Sequence, residues 1–153
     1  LVVDMGPFFE KYRKVMPFVL PTEEAQREPA RFPPDSKERR KVDPHIECIT
    51  CGACHAACSL VRWDPQFLGP AALNRAATLL ADSRDGAGEE RLRAVADEHG
   101  VWRCHSQFNC TEVCPMGLNP TEAIAALKRR AAGRGIREFA SRLVGRGAAL
   151  AAG

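Results

Sequence analysis

A mainly α-helical fold built around two metal clusters is predicted by three features of the sequence. Apolar residues recur at helical spacing in several separated segments, and no stretch shows the alternation of a substantial sheet. All seven cysteines fall between positions 48 and 114, in two runs of equal interval. The first run is Cys48, Cys51, Cys54 and Cys58, spaced C-x2-C-x2-C-x3-C; the second is Cys104, Gln107, Cys110 and Cys114, with glutamine in place of one cysteine. A chain of 153 residues makes one domain with a real core. It divides into an N-terminal helix and Pro-rich wrap (1–44), a cluster-binding core (45–132) and a basic amphipathic tail (133–153).

In chain order, Phe8, Phe9, Tyr12, Val15 and Met16 predict an amphipathic helix from Gly6 or Pro7 to about Val15, its aromatics serving as core. Residues 21–44 carry Pro21, Pro29, Pro33, Pro34 and Pro44 among charged side chains, a composition that excludes a long helix or a central strand and predicts a surface wrap. Ser59 to Trp63 continues the first cysteine run as a short turn or helix. Pro70 opens a helix that runs to about Ala81, with Leu73, Ala76, Ala77 and Leu80 on its buried face. Asp82 to Gly86 stops it, and Glu89 to about His99 forms the next, with Leu92, Val95 and Ala96 inward. His99, ahead of a capping Gly100, reads as a cation at a helix C-terminus. After the second run Pro115 ends the loop, Asn119 or Thr121 caps, and a helix follows from Glu122 to about Ala132. Ile136, Phe139, Ala140, Leu143 and Leu150 then repeat at helical spacing with arginines between.

The cysteine runs carry the chemistry. Their spacing is an iron–sulfur pattern in which three cysteines of one run hold one cluster and the fourth ligates the other. On that rule Cys48, Cys51, Cys54 and Cys114 complete a 4Fe-4S cluster. Cys58, Cys104 and Cys110 supply only three thiolates, with the neutral amide of Gln107 at the vacant corner, which suits a 3Fe-4S cluster. An odd count at tight spacing argues against disulfides and for a reducing compartment. Structural zinc is the alternative, with His55 or His105 completing a second site, but two such widely separated frames are not a zinc-finger layout.

Net charge is +3, too small to imply nucleic acid. From Lys128 onward seven basic residues face one acidic residue, Glu138, so that stretch carries +6 and the remainder is slightly acidic. Such a basic helix suits an anionic membrane surface, a partner subunit or plain solvent. No apolar run is long enough to span a bilayer and no signal peptide is visible, which predicts a soluble or peripheral protein.

Over roughly residues 1–132 the chain resembles the C-terminal, α-helical ferredoxin-like half of the iron–sulfur subunit of succinate:quinone oxidoreductase (succinate dehydrogenase, respiratory complex II) and its relative fumarate reductase. The resemblance is carried by the run Cys48 to Cys58, Phe67-Leu68-Gly69-Pro70-Ala71, Asp82-Ser83-Arg84-Asp85, Arg103-Cys104-His105, Cys110-Thr111, Cys114-Pro115 and Gly117-Leu118-Asn119-Pro120. It implies a non-catalytic electron-transfer subunit of an oxidoreductase complex, peripheral on the cytoplasmic face of a bacterial plasma membrane or the matrix face of the mitochondrial inner membrane. Electrons would pass from FAD in a flavoprotein subunit through 2Fe-2S, 4Fe-4S and 3Fe-4S centres to quinone in a membrane anchor. The resemblance also places Trp63 and His105 on the quinone side, where position alone reads them as a core residue and a surface histidine. Two departures stand out. The 2Fe-2S domain is absent from this chain, an expectation of either a fragment or a split subunit, and Ser59 replaces the family's usual proline after the cysteine. The rival reading is a soluble two-cluster ferredoxin module of a heterodisulfide-reductase-like system, with two 4Fe-4S clusters.

Overall fold

A computed structural model of the chain describes residues 2–27 and 31–151, with backbone alone for 144–151. Leu1, Pro29, residues 152 and 153, and the side chains of Arg146 and Leu150 in the tail lie outside what is described. The described elements are α1 (Gly6–Arg13), α2 (Glu23–Arg27), α3 (Lys37–Ile46), α4 (Ala53–Ala57), α5 (Ser59–Trp63), α6 (Pro70–Ala81), α7 (Gly88–Val95), a 3-10 turn (Val101–Arg103), α8 (Asn109–Glu112) and α9 (Pro120–Ala151). Among the described residues no strand forms; an isolated antiparallel bridge joins Pro21 and Asp85. The mainly α expectation holds.

The molecule is assembled on α6, which packs against α9, α3, α7, α1 and α4. The sequence predicts one buried face for this helix, but the structure buries it nearly all round: Pro70, Ala71, Ala72, Leu73, Asn74, Ala76, Ala77, Thr78 and Leu79 are all inside, and Leu80 is only partly covered. A helix this apolar on every side belongs in a core, and its alanines let the neighbouring helices approach closely. Asn74, 1% exposed, donates to the carbonyl of His45 at 3.1 Å, tying α3 to it. Val15, Leu92, Val95, Val101, Ile124 and Leu127 complete the core.

Three expectations need correction. Residues 37–46 form a ten-residue helix despite Pro44. Ser36 caps it by accepting from the backbone N–H of Arg39 at 3.0 Å, and Pro44 lies near the C-terminal end, where one backbone bond is lost. Second, α7 stops at Val95, so His99 is not at its end. Its Nδ1 instead meets Asp64 at 2.8 Å, and Arg103 pairs with the same carboxylate at 2.7 Å. Gly100 has a negative φ and is no left-handed cap. Glycine is required there because a Cβ would meet the Val95 carbonyl oxygen at 2.1 Å. Third, α9 runs unbroken through Gly133 and Gly135, joining what the sequence divides into two helices. Its start is as expected: Asn119 accepts from the backbone N–H of Glu122 at 3.0 Å.

A buried arginine helps fasten the N-terminal segment. Arg91, fully buried, donates to the carbonyls of Val15, Met16 and Phe18 and pairs with the equally buried Asp85 at 2.9 Å. This latch holds the segment after α1 against α7.

Candidate metal centre

The two cysteine runs adopt the same local design. In the first, Thr50 and Gly52 flank Cys51 with φ of 55° and 77°. In the second, Ser106 and Phe108 flank Gln107 with φ of 56° and 65°. Gly52 and Phe108 are the left-handed N-caps of α4 and α8, and Cys54 and Cys110 each occupy the second position of the helix that follows. Both Cys51 and Gln107 are exposed on these loops. A left-handed conformation costs a non-glycine residue roughly 1–2 kcal/mol, so its use at Thr50, Ser106 and Phe108 marks loops shaped for a site rather than for their own stability. The backbone therefore gives Gln107 the station that Cys51 holds in the first run.

Two cavities lie beneath these loops. One is lined by Cys48, Cys51, Cys54 and Cys114, with apolar Ala71, Leu118 and prolines 115 and 120. The other is lined by Cys58, Cys104, Cys110 and Gln107, with Leu60, Phe67 and Ile124. Each run thus contributes to both cavities: Cys114, following α8, reaches the first, and Cys58, following α4, reaches the second.

The donor chemistry fits polynuclear clusters. Burial, with neighbouring Cys48, Cys110, Cys51 and Cys114 adding to it, pushes the Cys54 thiol up to about 12. Burial likewise raises Cys58, opposed by the backbone N–H groups of Val61 and Leu60, with Cys110 and Cys104 reinforcing the rise. Thiols so grouped in an apolar setting ionise only against a strong positive charge, which iron provides. A single zinc needs its ligands converging on one point at about 2.3 Å. Among the described residues no three Cys, His, Asp or Glu side chains converge in that way; the thiols ring open volumes instead.

Polar neighbours of the second cavity were not foreseen. The Ser59 hydroxyl donates to Gln107 Oε1 at 2.6 Å, the backbone N–H of Ser106 approaches Cys104 Sγ at 3.4 Å, and the Thr121 hydroxyl lies 3.3 Å from Cys110 Sγ. Lys128 Nζ donates to the Cys104 carbonyl at 2.6 Å. Ser59, in place of the family's usual proline, and Gln107, in place of a cysteine, were the available signal, but only the fold puts them in contact. Trp63 and His105 line neither cavity. Trp63 is 85% exposed, against the core position its sequence setting suggests, and has no hydrogen-bond partner among the described residues. His105 is exposed. His55 lies outside both rings as well; its ring packs edge-on against Phe8, and burial, then Lys11, lower its pKa. Gly69, at φ 84°, passes so close that a Cβ would meet His55 Nδ1 at 2.6 Å.

Residues 45–118 match the 4Fe-4S dicluster domain family. The chain is 42% identical over 130 residues to the succinate dehydrogenase iron-sulfur subunit of Coxiella burnetii, covering 84% of this chain and 54% of that protein. It is equally 42% identical over 131 residues to the mitochondrial succinate dehydrogenase [ubiquinone] iron-sulfur subunit 1 of Oryza sativa subsp. japonica, covering 84% and 46%. The chain spans about half the length of these curated relatives. All seven cysteines thus fall within the segment that matches the 4Fe-4S dicluster domain, and over the half of their length that it spans the chain is similar to iron–sulfur subunits of succinate dehydrogenase.

Proposed function

We propose that this chain is the electron-transfer portion of a succinate dehydrogenase iron–sulfur subunit, relaying electrons from an FAD flavoprotein towards membrane quinone. Cys48, Cys51, Cys54 and Cys114 would hold a 4Fe-4S cluster, and Cys58, Cys104 and Cys110 a 3Fe-4S cluster with Gln107 at the open corner. Bound there, the clusters supply one-electron transfer without bond chemistry of the protein's own. The chain's residues fix the separation of the two sites, exclude water with Ala71, Leu118, Phe67 and Ile124, and present donors to sulfur. Exposed, unpartnered Trp63 offers an indole N–H, and His105 an imidazole beside a ligand cysteine. Both suit contact with a quinone-bearing anchor subunit. Among the described residues no helix is long and apolar enough to cross a membrane, so attachment to the membrane would run through that partner. The basic end of α9 would lie near its anionic lipid.

The observation that carries the reading is the pair of matching ligand loops, one with a thiol and one with an amide at the same station. Purified protein should contain about seven irons per chain and give the EPR signal of an oxidised 3Fe-4S centre. Gln107→Cys should raise iron to about eight and abolish that signal, because the loop already has the backbone a ligand needs. About eight irons in the unmodified protein would favour the soluble two-cluster ferredoxin instead, and no iron would overturn both.

A further inference from the structure

Gln107 reaches the second cavity from an exposed loop, yet its amide is not free to turn. Its oxygen accepts the Ser59 hydroxyl at 2.6 Å, across 48 positions of sequence. Ser59 in turn is fixed as the first residue of α5, directly after Cys58. An amide has one acceptor and one donor end. With the oxygen engaged, the two N–H bonds are the end left for the cavity, and they have no partner among the described residues.

We infer that Ser59 is a positioning residue that locks the Gln107 amide with its N–H donors available to the sulfur of the second centre, so that the pair sets that centre's reduction potential. This rests on the cluster assignment proposed above. The chemical reason is charge: a reduced cluster carries one more negative charge than an oxidised one, so a donor directed at its sulfur favours the reduced form and raises the potential. Without Ser59 the amide can flip and turn its oxygen, a repelling dipole, to the same sulfur. The left-handed residues Ser106 and Phe108 on either side hold the loop in place, and the observed pairing of hydroxyl with amide oxygen sets which end faces inward.

The test is a redox titration of the 3Fe-4S EPR signal in the protein with both clusters loaded. Ser59→Ala should lower the midpoint potential, Ser59→Thr should restore it, and Gln107→Leu should lower it by removing the donor. The Ser59→Ala/Gln107→Leu double variant should shift no further than Gln107→Leu alone, since the hydroxyl acts only through the amide. An unchanged midpoint in Ser59→Ala, or additive shifts in the double variant, would overturn the inference. If Ser59→Ala loses the cluster, Ser59→Pro serves as the second probe: proline suits the first position of α5 and carries no hydroxyl, so its midpoint must also fall. A wild-type protein with no 3Fe-4S signal would sink the cluster assignment itself, a separate result.

Discussion

Arg91 shows how much can depend on one side chain. It is fully buried, pairs with buried Asp85, and satisfies three carbonyls that no helix uses. Arg91→Ala takes the counter-charge from a buried carboxylate, leaving it the Leu20 backbone N–H, and strips the Val15 and Phe18 carbonyls of their side-chain donor, a loss of about 3–5 kcal/mol, measured by chemical denaturation. Arg91→Lys should recover only part, because an ammonium cannot span the fork. Asp64 gives a pH signature. The hydrogen bond from His99, followed by that of the Gln66 backbone N–H and the charges of His99 and Arg103, holds its carboxyl at about 2 against an ordinary 3.8. A carboxyl lowered in the folded state stabilises fully above its unfolded value and loses that contribution as pH falls through the folded one. The stability gap between wild type and Asp64→Asn should therefore be constant at neutral pH and close between about 4 and 2, as read from acid denaturation curves. Cysteine spacing made the proposed ligands legible, because a ligand run is a local pattern. The contacts of Arg91, His99 and Ser59 were not legible, since each joins residues far apart in sequence, and only packing decides which of many carboxylates or amides a side chain meets.

At the scale of elements, helices with an apolar period were readable and their ends were not. Pro70 and Asn119 announced the starts of α6 and α9, both being residues whose own chemistry suits a first turn. Helix α3 escaped because the proline-rich composition decided the reading and Ser36 was not considered as a cap, although a late proline removes little of a helix already held against α6. The continuity of α9 escaped because the apolar period reads as two segments, to about Ala132 and from Ile136, with Gly133 and Gly135 in the gap. Arg134 between them bonds Glu138 at 2.7 Å and Glu89 of α7 at 3.5 Å, which helps carry the helix past them. Buried positions in the described part of α9 end at Ala131. Removing residues 136–153 should therefore cost less than about 1 kcal/mol and leave iron content unchanged, checked by thermal melting and metal analysis. A large loss of either would show that the tail belongs to the core.

For the whole molecule, the cavities are the seams at which the two halves meet. Cys58 and Cys114 each follow a helix of one run and open into the cavity of the other. Removing iron leaves raised thiols such as Cys54, at about 12, neutral, and two voids without filler. Exhaustive chelation at neutral pH should then reduce helical circular dichroism together with the visible charge-transfer bands. Bands lost while the helix signal stays intact would show that packing around α6 suffices alone. Reloading should release protons and weaken on acidification, since each ligand must first give up its hydrogen. The twin loops around Cys51 and Gln107 carry a longer consequence. Because both are bent alike, a single codon would separate the two proposed kinds of centre, and the scaffold need not be redrawn to cross between them. Lineages can retune the voltage at which such a subunit delivers its charge while its architecture stands still.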